Sequence, residues 1–196
     1  MQGLKVIFAI FYVVLFYFHA QAAKEAAKSS IKETKMRDTS FYNKAPQNVA
    51  ALISMLILFS FFDIFIIDFN ISEENLIIIK SIGLFFYATF SFLQLICVKK
   101  LGKFYSVEIQ IFKEHKLATD GIYAKIRHPQ YLFQILSDLG AGIFFLSYLI
   151  LPIVVFIEFP IMLKRIKIEE EYLTKFFGED YENYKRRSWS LFPKLF

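Results

Sequence analysis

The feature that most constrains this chain is a set of apolar blocks long enough to cross a lipid bilayer, for which a helix needs roughly 20 residues. Leu4–Ala22 is the first block and Leu76–Val98 the third, with Lys80 near its start. Between them lies Val49–Phe69, which holds Asp63 and has Asp68 near its end. From Tyr131 to Leu163 the only charges are Asp138 and Glu158. That run is too long for one simple span and suits a hairpin of two, reversing near Ser147-Tyr148 with Pro152 just beyond. The expected fold is therefore all-α and integral to the membrane, with five transmembrane helices and the last two forming a helical hairpin. A membrane barrel would instead need many alternating segments of about ten residues. The chain divides into residues 1–98, with three transmembrane helices and their loops, and residues 99–196, with a polar connector, the hairpin over 130–164 and a polar tail.

Composition narrows the function. Hydrophobic residues make up 56% of the chain and charged residues 21%. This balance argues against a soluble cytosolic enzyme, a disordered chain and a nucleic-acid binder. Cys97 is the single cysteine, so neither an intrachain disulfide nor a Cys-rich zinc site is available, and no metal site is expected. Buried inside an apolar run, it reads as a small hydrophobe. The glycines form neither a G-x-G-x-x-G run nor a P-loop, so a nucleotide-like cofactor would have to be held another way. The first block has Lys5 ahead of it and Ala20-Gln21-Ala22 behind it, a weak match to a signal-peptide cleavage pattern. Its apolar run is longer than usual for such a peptide and basic residues follow, so it is expected to remain as a transmembrane helix.

The net charge of +5 becomes informative once the basic residues are located. All Lys and Arg except Lys5 and Lys80 fall in three segments: Lys24–Lys44, Lys99–Pro129 and the tail from Lys164. The stretch between the second and third blocks holds Asp68, Glu73 and Glu74 and no Lys or Arg. Five spans put the three basic segments on one side, which the positive-inside rule makes the cytoplasm. The N-terminus is then outside and the C-terminus inside.

The hairpin begins and ends on that side, so the segments flanking it must meet. In the first, Asp120-Gly121 signals a turn, and Pro129 keeps His128 out of helical geometry while suiting the first turn of the next helix. His128 thus sits at a helix N-terminus, a place suited to a carboxylate or phosphate. The plainer alternative makes Arg127 and His128 interfacial anchors, with Tyr123 and Tyr131 in an aromatic belt. In the second segment, Arg165 and Glu169 share a helix face, and Glu169-Glu170-Glu171 is an acidic run on an otherwise basic side. That run is either a solvated face or a set of partners for a cofactor bearing an amine, a ribose or a sulfonium.

These residues resemble the isoprenylcysteine carboxyl methyltransferase family, including its short prokaryotic members and its relatives that methylate phospholipid amines. The pattern G-[IV]-Y-x-x-[IV]-R-H-P-x-Y reads here as Gly121-Ile122-Tyr123 and Ile126-Arg127-His128-Pro129-Gln130-Tyr131. After the hairpin come Arg165, Glu169-Glu170, Leu173, Phe177-Gly178, Tyr181, Tyr184 and Leu191-Phe192-Pro193, and Leu101-Gly102 and His115-Lys116-Leu117 fit upstream. Ser190 stands where many members carry Arg. The resemblance covers roughly the last hundred residues; the first three helices match only in length and hydrophobicity.

The resemblance implies S-adenosylmethionine-dependent methyl transfer to a lipophilic acceptor that enters from the bilayer among membrane lipids. An isoprenylcysteine carboxylate is the first acceptor and a phospholipid amine the alternative. Arg165 and Glu170 would be catalytic. His115, Lys116, Leu117, Gly121, Tyr123, Arg127, His128, Pro129, Tyr131, Glu169 and Glu170 would bind the cofactor. Rival readings are a small transporter, a structural membrane protein and a nicotinamide-dependent sterol-type reductase. No oligomeric state follows.

Overall fold

The computed structural model describes residues 2–30, 34–67 and 71–192. Its main elements are helices α1 (Gln2–Ser30), α2 (Phe41–Ser60), α3 (Glu73–Leu101), α4 (Pro129–Phe145), α5 (Ile150–Ile153), α6 (Phe159–Phe177) and α7 (Glu179–Arg187), with short strands β1 (Thr34–Arg37) and β2 (Gln110–Phe112). Among the described residues, two helices are long and apolar enough to cross a membrane, within Gln2–Glu25 and Glu73–Phe104.

Helix α1 buries Phe8, Tyr12 and Leu15, one stripe at helical spacing, and leaves Val6, Ile10, Val13 and Tyr17 exposed. Phe8 stacks on Tyr87 of α3 at 4.5 Å and on Phe144 of α4 at 4.4 Å. Ile78, Ile82, Phe85, Phe92 and Ile96 of α3 also face outward. Apolar side chains exposed over whole helix faces are what a lipid-facing surface requires.

The closest packing joins α3 to α4. A Cβ on Gly83 would run into the Phe144 backbone, and one on Gly140 would lie 2.5 Å from Tyr87 N. The two glycines let the helix backbones touch, as small residues do between membrane helices.

Three expectations need correction. The block Val49–Phe69 is not one helix: α2 starts earlier, at Phe41, and ends at Ser60. Asp63 (φ 59°) and Phe65 (φ 64°) are left-handed, a conformation no α-helix continues through. The chain turns there because Ile67 N–H donates to Leu146 O (3.1 Å) and Tyr148 N–H to Phe65 O (3.3 Å), pairing this loop with the α4–α5 turn. Asp68 and Phe69 lie outside the described residues. Second, the fold is not purely helical. Strands β1 and β2 pair antiparallel with a bulge between Thr34 and Met36, because the buried β2 backbone needs hydrogen-bond partners. Third, the second arm of the hairpin is longer than expected. Helix α4 reverses at Leu146 (φ 52°), and α5, a π-helical turn over Val154–Glu158 and α6 then follow without a break as far as Phe177. Pro160 lacks an N–H and crowds the carbonyl one turn back, which the wider π turn accommodates.

Lys5 Nζ lies 2.6 Å from Asp63 Oδ1, so the start of α1, the end of α2 and the α4–α5 turn share one end of the bundle. The strands and α7 gather at the other.

Candidate active site

At that second end lies a cleft of about 750 Å³, counting its open mouth. Its floor is the start of α4. His128 occupies the N-cap position and Pro129 the first turn. The His128 ring stacks parallel to Tyr131 at 5.6 Å. Gly121, in the left-handed region (φ 60°), opens a 3₁₀ turn that presents Tyr123, whose hydroxyl donates to Cys97 O at 3.3 Å.

The opposing wall is α6. Arg127 Nε meets Glu170 Oε1 at 2.8 Å, and His128 Nε2 lies 3.2 Å from the same oxygen. Burial would raise the Glu170 carboxyl, but the His128 and Arg127 hydrogen bonds outweigh it and bring it down to about 2. Arg127 Nη1 also donates to Ser188 O at 2.5 Å. Next to this clamp, Tyr131 donates to Glu169 Oε2 at 2.6 Å. The Tyr131 hydroxyl accepts in turn from Arg165 Nε at 2.9 Å.

The tail closes the site with its backbone. Arg127 N–H donates to Trp189 O (2.7 Å), Trp189 N–H to Lys125 O (2.8 Å) and His128 N–H to Ser190 O (3.1 Å). The Ser190 contact uses the main-chain carbonyl, so a side chain other than Arg still makes it. Pro193, expected in the tail pattern, lies outside the described residues.

Of the anticipated cofactor-binding residues, His115, Lys116, Leu117, Tyr123, Arg127, His128, Tyr131 and Glu169 line the cleft. Gly121 and Pro129 shape its turns from behind, and Glu170 stands behind it as the partner of Arg127 and His128. Arg165 lies outside the lining and is committed to the fold. Its Nη1 donates to Asn43 O (2.7 Å) and Tyr42 O (3.4 Å), and its Nη2 to Val107 O (2.7 Å). Pro46 leaves Tyr42 O without its usual helical donor, which makes room for that contact.

Sequence reasoning gave no role to the 105–111 loop, Gln130 or Tyr181, all of which line the cleft. Tyr181 was visible in the family pattern, whereas nothing in the sequence marked the loop. The loop is held through Asn43, whose Oδ1 accepts from Ile109 N–H at 2.7 Å and whose Nδ2 donates to Asp38 O at 2.8 Å.

The His115 ring sits among Phe104 (5.3 Å), Phe112 (5.8 Å) and Phe177 (6.0 Å), and its buried Nδ1 has no hydrogen-bond partner among the described residues. Burial holds its pKa below the ordinary value, against the opposing pull of Glu169. Elsewhere, Glu158 accepts from Gln134 at 2.9 Å, and Asp138 lines a separate cavity between α1, α2, α3 and α4.

The architecture is a helical bundle with a polar cleft at one end, and two of its described helices are long and apolar enough to cross a membrane. Residues 81–175 match the model of the isoprenylcysteine carboxyl methyltransferase (ICMT) family. The protein-S-isoprenylcysteine O-methyltransferase of Schizosaccharomyces pombe is 40% identical over 86 residues, which cover 42% of this chain and 35% of that protein. The Saccharomyces cerevisiae protein of the same name is 27% identical over 188 residues, covering 92% of this chain and 77% of that one. A solved structure of the eukaryotic intramembrane Ras methyltransferase ICMT shares the fold, with a TM-score of 0.58 at 23% identity over 78% of this chain and 54% of that one. The match spans about a third of the length of the Schizosaccharomyces pombe relative and of the Dictyostelium discoideum one.

Proposed function

We propose that this protein is an integral-membrane methyltransferase that moves the methyl group of S-adenosylmethionine onto the carboxylate of an isoprenylcysteine-like acceptor. The observation that carries the reading is the cleft lined by His115, Arg127, His128, Tyr131 and Glu169, all inside the segment matched to the family. His115 and Tyr181, which line it, each hold a buried polar atom (Nδ1 and OH) without a partner among the described residues, which fits a ligand with several hydrogen-bonding groups.

S-adenosylmethionine, when bound, supplies a methyl already activated on a sulfonium, so the protein's part is orientation and electrostatics. The His128–Pro129 turn would hold the amino-acid end, and Glu169, steadied by Tyr131, would take a donor group of the cofactor. The aromatic surround of His115 offers a flat apolar wall. Arg165 acts as a positioning residue: it fixes Tyr131, and through it Glu169, against α2 and the 105–111 loop. An acceptor carboxylate is already anionic at pH 7 and needs no general base.

The five-span topology belongs to the same proposal: α1, α2, α3, α4 and the α5–α6 arm cross in turn, with the cleft on the cytoplasmic side. Lys5, Asp63 and the α4–α5 turn at one end, and the basic segments at the other, support it. A C-terminal reporter active only outside the cytoplasm would overturn the topology.

The functional test is a titration of detergent-purified protein with S-adenosylmethionine and with NADPH, followed by methylation of an N-acylated prenylcysteine. Binding of the first alone, with methyl ester formed, is expected. Binding of NADPH alone, or of neither, would defeat the proposal, and methylation of a phospholipid amine instead would reassign the acceptor.

A further inference from the structure

The tyrosines of the cleft wall differ in one respect. Tyr123 donates to Cys97 O at 3.3 Å, Tyr131 to Glu169 Oε2 at 2.6 Å and Tyr184 to Tyr123 O at 2.5 Å, while Tyr105 accepts from Gln130 Nε2 at 3.4 Å. Tyr181 is 1% exposed, and its hydroxyl has no hydrogen-bond partner among the described residues. A buried hydroxyl left unpaired is costly, and native proteins keep few of them.

The position of Tyr181 is tightly set. Helix α6 ends at Gly178 (φ 58°), whose N–H donates to Thr174 O at 2.9 Å, and α7 starts at once. The first turn of α7 turns Tyr181 inward, where its ring meets Tyr184 edge-on at 6.0 Å. Glu170, Glu169 and Arg127 are the charged groups around it. A residue that lines the cleft, with its ring held by packing and its buried hydroxyl unpaired among the described residues, is an arrangement prepared for a ligand group.

We infer that the Tyr181 hydroxyl is a binding contact for the methyl donor, accepting a hydrogen bond from a ligand hydroxyl or ammonium that also faces Glu169. This rests on the proposed use of the cleft for S-adenosylmethionine. The donor group is either a ribose hydroxyl or the α-ammonium, and both suit a site lined by the Glu169 carboxylate.

The test uses full-length protein in detergent micelles and the variant Tyr181→Phe, read by calorimetric titration and by thermal melting. Without ligand, Tyr181→Phe should melt at or slightly above the wild-type temperature, because the change removes an unpaired buried hydroxyl. Its affinity for S-adenosylhomocysteine should fall by about tenfold, the worth of one hydrogen bond in a desolvated site. A ligand-free melting temperature clearly below wild type would overturn the inference, since the hydroxyl would then have a partner within the fold. Unchanged affinity in a wild type that does bind would remove the Tyr181 role and leave the cofactor reading standing. If the wild type binds neither S-adenosylmethionine nor S-adenosylhomocysteine, that reading fails and the inference with it. 5′-Methylthioadenosine, which lacks the amino-acid end, separates the two sources: a tenfold loss with it too assigns the ribose, and a loss confined to S-adenosylhomocysteine assigns the ammonium.

Discussion

Arg127 and Glu170, from opposite sides of the hairpin, form an ion pair with Nε and Oε1 2.8 Å apart and side chains only 8% and 15% exposed. The pair ties the turn before α4 to α6, and Arg127 also carries the Ser188 carbonyl of the tail. It therefore holds together the segments that make the cleft, and removing one partner strands a buried charge.

Glu170→Ala should destabilise the protein by about 3 kcal/mol, the usual cost of leaving a buried ion unpaired. Thermal melting checks this. Methyl-donor affinity should fall in parallel, because His128 and the tail lose a common anchor. A wild-type melting temperature in the variant would show that the pair does not hold the cleft together.

The same carboxyl sets an acid response. Its folded value, about 2, lies below its ordinary 4.5, so its contribution to stability is complete above about pH 4.5 and is lost as the pH falls toward 2. Melting temperatures of wild type and Glu170→Gln should therefore converge below pH 4 and differ most near neutrality. A gap that widened on acidification would contradict this assignment.

Arg165→Lys should also be destabilising, by about 2–3 kcal/mol. A lysine ammonium cannot span Tyr131, Asn43 O and Val107 O at once, and the freed carbonyls stay buried. Activity should fall together with the melting temperature. Loss of turnover in a variant that melts like wild type would instead point to direct contact with the acceptor.

Gly140→Ala should cost about 1–3 kcal/mol by forcing α3 and α4 apart. Gly3→Ala, where the new methyl meets nothing, is the matched control and should change little. Comparable losses in the two would mean that helix spacing is not what the glycine provides.

In the tail, Ser190→Ala and Ser190→Arg should both leave stability within about 0.5 kcal/mol, because His128 bonds the Ser190 carbonyl and not its side chain. Trp189→Pro should instead weaken the fold by about 1 kcal/mol or more, through loss of the N–H that reaches Lys125 O. Denaturant titration distinguishes the three variants.

Much of the fold was legible because its signals are local. Apolar length marked α1, α3 and the hairpin, and Pro129 after His128 marked the start of α4. The turn at residues 61–67 was not legible. Its apolar residues look like a continuing helix, and only pairing with the distant α4–α5 turn makes them leave it. Strand β1 was hidden in the same way, since its partner, β2, comes more than seventy residues later. In the site, the motif residues Arg127, His128 and Tyr131 were found because their order along the chain is distinctive. The 105–111 loop was not, because an ordinary asparagine far upstream, Asn43, holds it in place.

By itself the sequence determined that the chain is mostly helical and apolar and that its basic charge gathers in three segments. Those properties depend on composition and short spacing, which every residue reports independently. Only the tertiary structure decided that Glu170 is locked behind the cleft while Glu169 lines it, that Arg165 is bound to the backbone of α2, and that the Tyr181 hydroxyl is left unpaired among the described residues. Adjacent acids on a helix differ by about 100° in direction, and which of them meets a partner depends on what the rest of the chain packs against that face.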